Sequence, residues 1–382
     1  MSIRKDTTPT AVEQNSIAIY AAIEMSGSNW DVVVHTPASS KLSRYRLRAG
    51  DTAQLLELME RVAAKVARQA EQTVSVVSCY EAGYDGFWLH RVLSAQGLTN
   101  HVIDAASLQV DRRARRAKTD RLDGEALVLA LMAWYRGERK ACRMVRVPSP
   151  AEEDAKRGHR ERERLIKERV QHVNRIKGLL ATQGIVGFHP LHRQRRARLA
   201  VLSLPPHLQA EIERELVRLE LLLEQIAALE AERDALFAAA PAADDPVADK
   251  IRALARLKGI GPTGASVLGR EAYYRSFRNR REVGSYVGLT PTPWRSGKLA
   301  REQGISKAGN ARLRTTVIEL AWSWLRYQPD SALARWFRDH AGSQAGRVRR
   351  IAIVALARKL AVALWRYVET GIVPTGAVLK KA

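Results

Sequence analysis

Four carboxylates are spaced so that a fold could bring them together. Asp120 and Asp123 stand three residues apart in the stretch KTDRLDGEAL, residues 118–127, so on a helix they share one side, one turn apart. Two like charges at that separation repel unless something positive lies between them. The run DRRARRAK, from Asp111 to Lys118, can supply that charge. It can also grip phosphates through Arg112, Arg113, Arg115, Arg116 and Lys118. A divalent cation is the other candidate. A plainer reading stays open beside these: acids in a first helical turn suit the macrodipole, with Thr119 as the N-cap. The apolar period of this helix assigns its buried face to Leu122, Ala126, Leu129, Ala130 and Ala133. The other two acids are Glu24, closing the strand-like SIAIYAAIE, and Glu81, directly after VSVVSCY.

The elements around these acids decide what the acids can do. Three strand-like runs come first, Ser16 to Glu24, Trp30 to Thr36 and Lys41 to Arg48, separated by turn residues. Ala53 to Ala70 has the helical period, Val74 to Tyr80 is a fourth strand, and a helix from Gly86 to Ala95 leads to a short strand, Asn100 to Ile103. The helix carrying Asp120 closes the unit. Three strands, helix, strand, helix, strand, helix is the order of a ribonuclease-H-like α/β domain. In that order an acid on strand one, one at the end of strand four and one or two on the last helix meet at one sheet edge. Glu24, Glu81, Asp120 and Asp123 hold those seats. Oxygen-only ligands favour Mg²⁺, with Mn²⁺ as the alternative. Two such ions about 4 Å apart would stabilise both oxygens of a phosphodiester displacement. Asp31 is a fallback for Glu24, seated on strand two.

Beyond residue 147 the pattern changes. Glu161 to Leu180 reads as a charged helix with apolar positions at Ile166, Val170, Val173, Ile176 and Leu180. After the basic connector HPLHRQRRAR, Pro205-Pro206 opens a long helix. Its Leu208, Ile212, Leu219, Leu222, Ile226, Leu229 and Leu236 follow 4-3 steps interrupted by Glu215 and Arg233, the seam of a helix paired as a coiled coil or packed on its own domain. The linker AAAPAADD ends it. A mainly helical region comes next. In it LARLKGIGPTGASVL sets Lys258, Gly259 and Gly261 in a turn between helical segments, either a helix-hairpin-helix-like unit able to aim backbone N–H groups at phosphate or a plain helical turn. A basic helix from about Arg347 to Val368 closes the pattern. The domains expected are therefore 1–147, 148–245 and 246–382.

Composition narrows the partners. A formal charge of +23 points to a polyanion, most simply nucleic acid. No apolar run is long enough to span a bilayer, and no signal peptide is seen, so a cytoplasmic, reduced protein is expected. Cys79 and Cys142 give neither a metal spacing nor a disulfide framework.

The segments YEAGYDGFWLH, KTDRLDGEAL, LKGIGPTGAS, VGLTPTPWRSG and GISKAGNARLR, in this order across nearly the whole chain, carry a resemblance. The chain resembles the DEDD-type transposases of the IS-one-ten insertion-sequence group, the bridge-RNA recombinases. That resemblance implies a RuvC-like N-terminal domain, a coiled coil and a C-terminal transposase domain with an essential serine. It also implies donor and target double-stranded DNA, a non-coding guide RNA and a dimer or tetramer. The family's acidic tetrad falls on Glu24, Glu81, Asp120 and Asp123, with Glu24 departing from the usual Asp. Its serine, which follows a GLxP turn and precedes Gly, falls on Ser296, crowded by Arg295, Lys298, Arg301 and Lys307. Ser306 is the rival hydroxyl, read here as a helix cap. Two other functions compete: a junction-resolving nuclease using the acids alone, and a non-catalytic nucleic-acid scaffold.

Overall fold

The computed structural model describes residues 16–37, 39–108, 120–238, 245–296, 299–342 and 346–380, with the backbone alone at 16, 120–122, 294–296 and 299–303. Two compact units divide the chain, Met1–Pro148 and Ser149–Ala382.

The first unit is built on a five-stranded sheet. Strands β1 (Ser16–Met25), β2 (Asn29–His35) and β3 (Ser43–Arg48) form a meander, followed by α1 (Thr52–Ala70), β4 (Thr73–Glu81), α2 (Trp88–Ala95), β5 (Thr99–Ile103) and α3 (Asp120–Tyr135). The sheet order is β3-β2-β1-β4-β5. β1 runs antiparallel to β2 and parallel to β4, and β4 runs parallel to β5. The strands alternate with a period of two. Ile19, Ala21, Ile23 and Tyr80 face one core with Leu55, Leu58, Leu89 and Leu93 of α1 and α2. Ala22, Val33, Val77 and Cys79 face the other with Leu127, Val128 and Leu131 of α3. Covering both faces is what a central parallel pair requires.

The face α3 buries differs from the one its apolar period suggested. Gly124, Leu127, Val128 and Leu131 are buried, whereas Ala126 and Leu129 are exposed, Leu129 at 57%. The helix is apolar on nearly every side, so periodicity alone does not fix its rotation. Close approach does: a Cβ at Gly124 would stand 2.8 Å from Val33 Cγ2. Only glycine lets the helix settle so near β2.

The second unit is mainly helical. After α4 (Pro150–Asp154), opened by a Ser149–Glu152 capping box, come α5 (Arg157–Ala181), α6 (Arg195–Ala200) and α7 (Pro206–Ala238). α5 and α7 pack antiparallel. Leu165 meets Leu222 and Ile226, while Ile176 and Leu180 meet Ile212, Leu216 and Leu219. Each such buried side chain contributes roughly 1.5–3 kcal/mol. The seam differs in detail from the sequence pattern: Leu165 is buried, while Val170 and Leu236 are exposed. Glu215 does not interrupt it either. Its buried carboxylate takes His172 Nδ1 at 2.5 Å and Arg218 Nη1 at 2.6 Å. Burial pulls the Glu215 carboxyl up, but the His172 hydrogen bond and the surrounding positive charges outweigh it and hold it low.

The remaining elements are α8 (Pro246–Arg256), α9 (Pro262–Leu268), a π-helical turn (Gly269–Tyr273), α10 (Arg280–Tyr286), β6 (Thr290–Ser296), β7 (Leu299–Ser306), α11 (Ala311–Tyr327), α12 (Ala332–Ala341) and α13 (Arg347–Thr370). They share one core, including Leu254, Val283, Val317, Trp324 and Leu356. The β6–β7 hairpin was not suggested by the sequence patterns, which read this region as mainly helical. No described helix is long and apolar enough to cross a membrane.

Candidate active site

In the first unit the register puts the acids on a common face. Ile23 pairs with Tyr80 across β1 and β4, so Glu24 and Glu81 follow as the next residues on adjoining parallel strands. Both alternate with the residues under α3: Glu24 is two after Ala22, and Glu81 two after Cys79. Position 120 lies one helical turn before Gly124 on the stripe that buries Leu127 and Leu131, and Asp123 is next to that stripe. Glu24, Glu81 and Asp123 are all half-buried.

Asp31, the alternative to Glu24, pairs directly with Glu24 across β1 and β2. Arg46 occupies it, with Nε and Nη2 donating at 3.2 and 3.3 Å, so its charge is already answered. Arg44 does the same for Glu125 on α3 at 2.9 Å. The candidate ligands are oxygens throughout, the donor set of a hard cation. Among the described residues no group of three His, Cys, Asp or Glu converges closely enough to hold an ion. The Asp120 side chain is not among them. Both cysteines are buried in the described structure, and burial pushes the thiols of Cys79 and Cys142 up, so neither suits nucleophilic work.

In the second unit Ser296 pairs with Leu299 at the tip of the β6–β7 hairpin, and Arg295 with Ala300 and Trp294 with Arg301 just behind it. Lys298 lies outside the described residues, as do Thr119 and the run Arg112, Arg113, Arg115, Arg116 and Lys118. The base of the hairpin is tightly made. A Cβ on Gly309 would stand 2.7 Å from Gly288 N and 2.8 Å from the Ser285 and Tyr286 carbonyls, and Gly309 has φ +151°. Only glycine fits where these two segments cross. Lys307 is exposed just past the hairpin, its carbonyl accepting from Arg314 Nη1 at 3.1 Å.

Ser306 does not cap the following helix. It ends β7, and its Oγ accepts from Ala308 N at 3.3 Å. The cap of α11 is Asn310, whose Oδ1 accepts from Leu313 N at 3.2 Å. Asn, like Ser, satisfies an orphan helix donor, and Asn310 stands directly before the helix whereas Ser306 is still in the strand. Tyr286, a possible competing hydroxyl, is poorly placed for nucleophilic work. It donates to the Glu271 carbonyl at 3.0 Å, and burial, then neighbouring Tyr274, push its hydroxyl up to about 12.

Glu271, on the π-helical turn, was not singled out from the sequence. It is 2% exposed. Arg160 reaches it bidentately at 2.7 and 2.9 Å, His159 Nε2 lies at 2.9 Å, and Arg312 Nη1 and Asn310 Nδ2 donate at 3.2 Å. Burial would raise its carboxyl, but the hydrogen bonds from His159 and Arg160 and their charges hold it far below the carboxylate range. Its partners come from positions more than a hundred residues before it and about forty after it, so no local motif could have marked it.

The turn between α8 and α9 holds Lys258, exposed, and Gly259, whose φ is +83°. A Cβ on Gly259 would stand 3.2 Å from Ser323 O and Tyr327 Cβ of α11. The turn's carbonyls are engaged by the protein: Gln328 Nε2 donates to Lys258 O at 2.9 Å and Ser323 Oγ to Gly259 O at 2.7 Å. Gly261 is exposed and leads into α9.

The chain thus carries a five-stranded α/β unit with acids on one sheet face, followed by a mainly helical unit with Ser296 at a hairpin tip. Comparison with known proteins gives the family. A model described as "Transposase IS116/IS110/IS902 family" matches residues 251–335, and a DEDD-type transposase model of the IS110 group matches residues 21–183. The chain is 50% identical, over 97% of its length and 97% of the relative's, to the putative transposase y4rJ of Sinorhizobium fredii. It is 32% identical to a probable family 20 transposase of Pseudomonas aeruginosa over 65% of this chain and 71% of that one. It is 27% identical, over 78% of this chain and 79% of the relative, to the transposase for insertion sequence element IS1111A of Coxiella burnetii. The chain belongs to the IS110/IS116 family of insertion-sequence transposases.

Proposed function

We propose that this transposase cuts and rejoins DNA through Ser296, helped by a Mg²⁺-dependent acidic site at Glu24, Glu81, Asp120 and Asp123. The observation carrying this reading is the seating of Glu24 and Glu81 as successive residues on adjoining strands, under the helix that holds Asp120 and Asp123. The sheet order and strand directions suit a RuvC-like domain of the ribonuclease-H fold. The paired α5 and α7 suit a short coiled coil, and the α8–α9 turn a helix-hairpin-helix grip on phosphate. Divalent ions bound by the acids would stabilise charge on the phosphodiester oxygens. The chain's own groups do the rest. The Ser296 hydroxyl gives up its proton and its oxygen bonds to phosphorus. The displaced DNA oxygen leaves and takes up a proton, and reversal with a new DNA hydroxyl rejoins the strand. Arg295, Lys298, Arg301 and Lys307 steady the crowded phosphate.

Base pairing with a guide RNA would read the target, leaving backbone shape to the protein. The charge of +23 suits two nucleic-acid partners, donor and target DNA on one hand and RNA on the other, on a dimer or tetramer in the compartment that holds DNA. Trapping a denaturant-resistant protein–DNA adduct tests the chemistry: Ser296→Ala and Asp120→Asn should both abolish it. Cleavage surviving in Ser296→Ala but not in Asp120→Asn would identify a nuclease that uses the acids alone. Sequencing RNA that co-purifies with the protein tests the guide, and recovery of no discrete RNA would remove it.

A further inference from the structure

The residues that hold Glu271 sit at both ends of the serine hairpin's base. Tyr286, two residues before Gly288, donates to its carbonyl, and Asn310, immediately after Gly309, donates to its carboxylate. Asn310 N also donates to Tyr286 O at 2.9 Å, so the two ends are tied to each other as well as to Glu271. From the other side, His159 and Arg160 of α5 hold the same carboxylate. Arg312 bonds it too and forms a further ion pair with Glu163 of α5. The carboxylate therefore joins α5, the π-helical turn and the hairpin base through direct hydrogen bonds. A buried charge with this many directed donors fixes an orientation better than apolar packing, because each bond has its own direction.

We propose that Glu271 is a positioning residue for strand transfer, a buried joint that locks the base of the β6–β7 hairpin, and hence its tip, to α5. This rests on the reading of Ser296 as the nucleophile. A displacement of about 1 Å at a reacting atom can cost on the order of a hundredfold in rate, so a loosened joint acts on chemistry without touching DNA.

Two substitutions test it. Glu271→Gln keeps the shape and removes the charge. Asn310→Ser keeps an oxygen to cap α11 and removes only the donor to Glu271. Spin labels on Lys177→Cys of α5 and Leu299→Cys of the hairpin tip report the joint directly, the native cysteines being buried. The parent protein should give a narrow distance distribution, broadened by both substitutions and unchanged by Ser296→Ala. Both should slow adduct formation by about tenfold or more while DNA affinity stays within about twofold, and Glu271→Asp should recover part of the rate. Narrow distances and parental rates in both variants would overturn the joint. So would rates that fall only in step with lost DNA binding. Absence of any adduct in the parent protein would count against Ser296 alone, because the distance distribution reads the joint independently.

Discussion

Single residues carry the chemistry, and two kinds of side chain behave differently here. Glu81→Gln and Asp123→Asn are expected to abolish DNA cleavage while binding persists, because they remove a ligand charge and leave the basic surface intact. Full cleavage in either would remove that residue from the site. Glu24→Asp should stay active, since the shorter acid keeps its place beside Glu81 on the sheet. The places of Glu24, Glu81, Asp120 and Asp123 near strand ends and a helix start were legible because local patterning locates those elements, while their joint role belongs to the proposed function. Glu271 was not legible, since its partners are set by packing among α5, the π-helical turn and α11. His101 gives a pH signature. Burial first, then the charges of His90 and Arg139, lower it to about 4, and its Nε2 lies 2.8 Å from Tyr135 Oη. It folds neutral, so its contribution is fully present above the ordinary histidine value of about 6.5 and is lost as pH falls towards 4. The first unit should lose up to about 3 kcal/mol over that window, and chemical denaturation at pH 7 and pH 4.5 checks it. His101→Phe should flatten the difference.

Elements decide whether those residues meet. The order of strands and helices in the first unit could be read almost residue by residue, because alternation and turn residues punctuate it cleanly. The rotation of α3 could not, since a helix rich in Ala, Leu and Val shows no single apolar stripe and its facing is chosen by the Gly124–Val33 approach. Gly124→Ala should therefore destabilise the first unit by roughly 1–3 kcal/mol and depress cleavage by lifting positions 120 and 123 from the sheet. Val33→Ala in the same chain should restore part of both, measured by denaturation and cleavage together. If the single variant matched the parent, close approach would not be what seats the helix. In the second unit, Leu219 is wholly buried against α5 within the same chain. Leu219→Asp should accordingly lower the melting temperature of the second unit. A changed mass by light scattering with unchanged melting would mean the seam serves other subunits instead. The β6–β7 hairpin was hidden in the sequence for a physical reason: its strands are rich in Pro, Arg and Ser and show no alternation of apolar residues.

The whole molecule is a strongly basic protein acting on a polyanion, and its affinity for DNA should fall steeply with salt as condensed counterions are released. A titration from low to physiological salt with nearly constant affinity would contradict that. Family membership was legible from segments scattered over both units. Bonds between residues far apart in the chain unite α5 and α7 with the later helices, as Arg160 Nε reaches Glu271 at 2.7 Å and Arg233 Nη1 reaches Thr263 Oγ1 at 2.7 Å. One small feature, the crossing of Gly288 and Gly309, bears on how such proteins could be recombined in the laboratory. Backbone meets backbone there, with no room for a side chain on Gly309, while Leu289 and Ile305 just inside the crossing pack into the core of the unit. Residues 289–308 therefore form a cassette with ready-made seams. A hairpin from another transposase, joined at these two glycines, should seat in this host where it keeps apolar residues at positions 289 and 305, and should destabilise the second unit where it carries polar ones there.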